Sequence, residues 1–239
     1  MISRPFRHRA DSLSASTSVT RSIVLCSVHC NHFGRRREAV VTGTGDEDGE
    51  WLPVLPPAYA AARARHAMAR EEAYVVARED SIEKGICGPD LRITDLDERA
   101  LNVWAHTWRG NHPSGAGGWR WPSLLEQLPH RAAVLPIAIW YGDDLCGLAL
   151  GQASKRRFNG SRHTITLTHV ERRPEPPDVP VRGQIVSIAA EVALQYGLAM
   201  GAQRLRLRSP DRRLLGYYER FGFLPAWKGQ IPVFCEREV

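Results

Sequence analysis

No apolar run in this chain approaches the ~20 residues that span a bilayer. The segment Ile23–Cys26 is too short for a signal-peptide core and has no small-residue cleavage site beside it. The expectation is a soluble, cytoplasmic protein with no membrane partner. Cysteine is sparse: five scattered residues, an odd number, do not make a disulfide framework. Acid is short in one half. Residues 151–239 hold 15 Lys+Arg against 8 Asp+Glu, whereas residues 1–150 hold 17 against 18. That basic half favours anionic partners, a nucleotide phosphate or a nucleic acid, although no nucleic-acid motif accompanies it. Residues 1–50 mix Ser, Thr, Arg and Gly and lack the apolar surface that offsets chain entropy, so disorder is expected there. Within them Cys26, His29, Cys30 and His32 sit at ligand-like spacing. A structural zinc site takes a second ligand pair after a longer loop, and none follows, so no metal is expected.

What is present is enough for a core: 43% of the residues are hydrophobic, and a length of 239 suits one domain with extensions or two small ones. Residues 57–80 are rich in Ala, Arg, Glu and Met and predict a helix, too polar for a core position. Leu91–Thr94 fits a first strand. Thr94 or Asp95 can cap a helix over 97–108, and a second helix runs from about Pro122 to Leu128. Between them lies the Gly-rich loop 109–118. Val134–Tyr141 and Leu145–Ala153 flank Gly142-Asp143-Asp144, a hairpin signal. Residues 162–173 read as a long strand and Val181–Met200 as an Ala-rich helix stopped by Gly201.

The last segment carries the strongest pattern. Arg204, Arg206 and Arg208 alternate with Leu205 and Leu207, a strand period. Ser209 or Asp211 can cap the helix that follows, Pro210 suits its first turn, and Gly222 is its stop. One terminal strand closes the chain.

Tyr218, Glu219, Gly222 and Phe223 match the Tyr-Glu-x-x-Gly-Phe helix of the GNAT acetyltransferase superfamily, and residues of about 90–239 resemble that family in element order. The resemblance implies an α+β fold with a central, mostly antiparallel sheet flanked by helices. It leaves 51–89 as an accessory helical segment. It implies acetyl-CoA as co-substrate, lying between two splayed strands, with its pyrophosphate on backbone amides at a helix start. The matching loop is Arg182-Gly183-Gln184-Ile185-Val186-Ser187. It departs from Gln/Arg-x-x-Gly-x-Gly/Ala at Ser187, which is small enough to be tolerated, and at Ile185, whose β-branched side chain hinders close backbone approach. The cofactor contacts implied are Val170 and Arg172 on the central strand with Arg182, Gly183, Gln184 and Ser187. By the same resemblance Tyr218 protonates the departing thiolate. His169 and Glu171, two apart and on one strand face, are candidate bases for the acceptor amine.

Four of seven tryptophans fall within residues 104–121. Trp104 and Trp108, four apart, read as core. Trp119, Trp121 and His112 border the glycine loop and are candidates to line an acceptor pocket. The implied reaction moves an acetyl group to the amine of a small molecule or peptide. Two alternatives stay open: a catalytically degenerate binding module, which Ile185 favours, and an acetyltransferase acting on aminoacyl-tRNA, which the basic half favours. A homodimer is also left open.

Overall fold

The computed structural model describes residues 56–109, 118–128, 132–154, 163–174 and 179–239. The expected disorder of residues 1–50, the Cys/His cluster within them, and His112 lie outside the described residues.

The elements run α1 (Pro57–Glu83), β1 (Leu91–Thr94), α2 (Glu98–Thr107), α3 (Trp121–Glu126), β2 (Val134–Tyr141), β3 (Asp144–Ala153), β4 (Thr164–Arg172), α4 (Ile185–Met200), β5 (Arg204–Arg208), a 3₁₀ turn (Arg212–Leu214), α5 (Leu215–Glu219), β6 (Leu224–Lys228) and β7 (Ile231–Glu238). Seven strands form one sheet in the order β1-β2-β3-β4-β5-β7-β6. Among the described residues only the β4–β5 pair is parallel, and α4 supplies its crossover. This is the mixed α+β architecture, with helices flanking a mostly antiparallel sheet, that the resemblance implies.

Local chemistry fixes the ends. Asp97, rather than Thr94 or Asp95, caps α2 by accepting from Ala100 N–H at 2.8 Å. Asp95 is engaged elsewhere: it accepts from the Tyr74 hydroxyl at 2.7 Å and meets Arg70 at 3.3 Å. Gly142 opens the β2–β3 turn at φ 58°, the left-handed conformation a tight hairpin turn wants there. The chain ends in two strands, not one, because Gly229 at φ 62° turns β6 back along β7.

Two cores lie on opposite sheet faces. One joins α1 and α4 to Ile137, Ala149, Ile165, Leu167 and Leu205. The other joins α2 and α3 to Trp140, Leu148 and Leu150. The polar look of α1 is misleading: Ala69, Ala73, Tyr74 and Ala77 form a narrow small-residue stripe that packs into the first core. The helix thus buries one face while Glu71, Glu72 and Glu79 stay in water. No helix among the described residues is long and apolar enough to cross a membrane.

Strand β4 changes phase partway. The β3–β4 register pairs Leu150 with His169 and Gly151 with Leu167, so Thr168 is the extra residue of a β-bulge. Before it, Ile165 and Leu167 face the α4 core; after it, Val170 does. His169 and Glu171 therefore face the α2–α3 side.

Candidate functional site

Strands β4 and β5 pair over only four residues, Thr164–Leu167 against Arg204–Leu207. From Thr168 to Arg172 strand β4 continues without β5 beside it. A cleft opens there in an otherwise continuous sheet, and its backbone amides and carbonyls on that edge are not used by a strand neighbour. Val170 and Arg172 both lie in this stretch.

On the α4 side, a small pocket is lined by Cys146, Arg172, Val181, Arg182, Gly183 and Ile185. It brings together three of the expected cofactor residues. Gly183 turns the loop at φ 82°, Gln184 sits at the N-cap, and no side chain caps α4. Of the helix's first amides, Ser187 N–H meets the Tyr217 hydroxyl, while Ile185 and Val186 are left without a side-chain cap. Ser187, one turn in, is buried. Ile185 turns inward instead of outward. It is buried, and its Cγ2 lies 2.5 Å from where a Cβ on Gly147 would stand. The β-branched side chain thus packs against strand β3 while also forming one wall of this pocket. Burial pushes the Cys146 thiol up to about 11, with Asp144 as the next cause, so it is a neutral wall and not a nucleophile at pH 7.

On the α2–α3 side stand His169 and Glu171. Glu171 is 2% exposed, and its two oxygens accept from Gly118 N–H at 3.0 Å and from Trp121 Nε1 at 2.5 Å. Its visible work is to tie the segment at the start of α3 to strand β4. Trp121, expected to line the acceptor pocket, is fully buried beneath that tie. Trp119 is 42% exposed and stands edge-on to the His169 ring, centroids 4.7 Å apart. Trp104 and Trp108 are buried, as their spacing implies. Of the two candidate bases, His169 is half-buried and the more accessible. Burial first, and the Arg208 cation second, hold its pKa below the usual imidazole value, so it is neutral at pH 7 and able to accept a proton.

Arg208 ends a row of three arginines on one face of β5. Arg204 and Arg206 meet Glu236 at 3.1 and 2.7 Å. Arg208 lies opposite Phe234 and has no carboxylate partner among the described residues.

Tyr218 is buried in the α4-side core, and burial, then Asp211, Cys235 and Tyr217, push its phenol up to about 12. It therefore stays protonated at neutral pH. Its neighbour Tyr217 points another way: its hydroxyl donates to the Gly183 carbonyl at 3.3 Å, across the loop before α4. Asp211 caps the 3₁₀ turn by accepting from Arg213 N–H at 2.9 Å. Ser209 makes no such cap and holds a left-handed φ of 49°. Thr168, Arg208 and Tyr217 were not expected at the site. A signal for Thr168 is present in the sequence, where the apolar alternation Ile165, Leu167 slips to Val170.

No family model matches the chain, and no curated protein does. Solved structures do. The chain is similar to an acetyltransferase from Thermus thermophilus, at 15% identity over 62% of this chain and 97% of that one, TM-score 0.45. It is similar to the ribosomal-protein-S18-alanine N-acetyltransferase from Escherichia coli, at 13% identity over 62% and 94%, TM-score 0.43. It is also similar to AtaTR bound with acetyl-CoA, at 15% identity over 62% and 93%, TM-score 0.41. At these identities and scores no residue role is carried over from them.

Proposed function

We propose that the protein is an N-acetyltransferase that moves the acetyl group of acetyl-CoA to an amine, with residues 90–239 as the catalytic domain and 51–89 as an accessory helical segment. The observation that carries the reading is the parting of β4 from β5 after four paired residues. It leaves the β4 edge open beside His169, a proton acceptor, and the segment after β5 carries Tyr218, a phenol that stays protonated. The open β4 edge at Val170 and Arg172 is suited to hold the pantetheine amides. Arg182, Gly183, Gln184 and Ser187 are suited to hold the pyrophosphate.

In the proposed reaction the acceptor nitrogen forms a bond to the thioester carbonyl carbon. The carbon–sulfur bond breaks, and its electron pair leaves with sulfur. His169 takes the proton the amine loses, and Tyr218 gives its phenolic proton to the thiolate. Strand amides stabilise the carbonyl oxygen as charge builds on it. Trp119 supplies an aromatic wall for the acceptor, beside which His112 falls in sequence. Glu171, the second candidate base, acts here by fixing that wall.

Calorimetry tests the first step: acetyl-CoA should bind with a micromolar dissociation constant, about −8 kcal/mol. A panel of amines, peptides and charged tRNA then finds the acceptor. No heat at millimolar acetyl-CoA would overturn the reading in favour of a binding module. The excess of basic residues in 151–239 favours a second reading, in which the acceptor is aminoacyl-tRNA.

A further inference from the structure

The bulge residue of β4 makes a hydrogen-bond relay. The Thr168 hydroxyl donates to the Leu150 carbonyl at 3.0 Å, and its oxygen stands 3.0 Å from His169 Nδ1. A hydroxyl has one proton, and a carbonyl can only accept. With the proton of Thr168 on Leu150, as its donor geometry has it, the oxygen is left to accept from His169, and Nδ1 then carries the imidazole hydrogen. In a neutral ring that leaves Nε2 with the bare lone pair.

The surroundings keep the ring in that state. Trp119 and Trp121 lie edge-on to it, with centroids 4.7 and 6.4 Å away. The charged groups nearby are Arg208 from β5 and Glu171 two residues along the same strand face. The carboxylate of Glu171 is held by Gly118 and Trp121, so it does not compete with Thr168 for Nδ1 in these contacts.

We propose that Thr168 is a positioning residue that locks His169 in the Nδ1–H tautomer, making Nε2 the atom that accepts the acceptor's proton. The tautomer stands on the hydrogen bonds alone; the proton transfer rests on the acetyltransferase reading. The lock comes from the bulge itself. Without the extra residue, position 168 would have no reason to aim a side chain at the carbonyl across the bulge and at its own neighbour's ring.

The test is nitrogen-detected NMR on the full ¹⁵N-labelled chain above pH 7.5, with the His169 signals assigned by their loss in His169→Asn. Expected are a protonated Nδ1 and a bare Nε2. Thr168→Val keeps the β-branched shape but has no oxygen, and should shift the ring toward the other tautomer. Thr168→Ser should restore the parental pattern, and Thr168→Ala, which also lacks the oxygen, stands in if the valine variant does not fold. A protonated Nε2 in the parent, or identical spectra for the parent and a folded Thr168→Val, would overturn the lock. Where an acceptor turns over, Thr168→Val should lower kcat about tenfold while the KM for acetyl-CoA holds, with recovery in Thr168→Ser. An altered tautomer with parental kcat would overturn the catalytic half. Absence of acetyl-CoA binding would remove the acetyltransferase reading and leave the NMR result to decide the lock.

Discussion

Replacing Gly147 with alanine should destabilise the fold by about 1–3 kcal/mol, and shortening Ile185 should recover most of that loss. The magnitude follows from the contact. A Cβ on Gly147 would meet Ile185 Cγ2 at 2.5 Å, Cδ1 at 2.8 Å and Cγ1 at 3.2 Å. Carbon atoms rest about 3.5–4.0 Å apart, so three overlaps arise at once. The side chain has little room to retreat, since Ile185 is 5% exposed and packs in the α4-side core. Ile185→Ala removes all three clashing atoms, but alone it opens a cavity at about 2–5 kcal/mol. In the double variant the new methyl group refills part of that cavity. Urea unfolding of the four proteins closes a double-mutant cycle. The expected coupling is about 1–3 kcal/mol in favour of the double variant. Losses that add to within about 0.5 kcal/mol would refute the inward placement of Ile185 against Gly147.

Tyr218→Phe should cut turnover by roughly 10²–10⁴-fold while acetyl-CoA affinity barely moves in calorimetry; parental turnover would mean that water supplies the thiolate's proton. Glu171→Gln replaces a charged acceptor of two N–H groups with an amide, one end of which is a donor, and should cost about 2–3 kcal/mol in urea unfolding; a cost under about 0.5 kcal/mol would show that the tie to Gly118 and Trp121 holds nothing. His66, 2.6 Å from the Tyr196 hydroxyl, is held below its ordinary pKa by burial first, then by Arg65, Arg70 and His163. The unfolded chain then binds more protons between the folded value and about 6.5, so stability should rise with pH through that window and level off above it. His66→Gln should flatten this rise in denaturant midpoints taken from pH 5 to 8, and an unchanged slope would assign it to other groups.

Most elements were legible because their signals are local. Alternation marked β5, Gly142 marked the hairpin, and Gly201 marked the end of α4 at φ 65°. What escaped was non-local or depended on small residues. The buried stripe of α1 is mostly alanine, which burial scales barely distinguish from surface, and its partner α4 lies more than a hundred residues on. The tie between Glu171 and Trp121 spans 50 residues, so no spacing rule reaches it. Asp95 and Asp97 are equal as caps on paper; the choice is made by Tyr74 and Arg70, which occupy Asp95. The terminal hairpin rested on Gly229 alone, with an exposed Ile231 and Trp227 in place of a clear apolar face.

The bulge at Thr168 also says how this strand tolerates change in length. Side chains alternate across a sheet, so one inserted or deleted residue exchanges inside for outside along everything beyond it. Position 168 is the exception: Leu167 and His169 already stand opposite Gly151 and Leu150, so without the extra residue they become ordinary neighbours on opposite faces. Val170 would stay under α4, and His169 and Glu171 on the tryptophan side. A single-codon loss there would do what no point substitution can, straightening the strand and removing the hydroxyl beside His169 while both faces of the sheet keep their side chains.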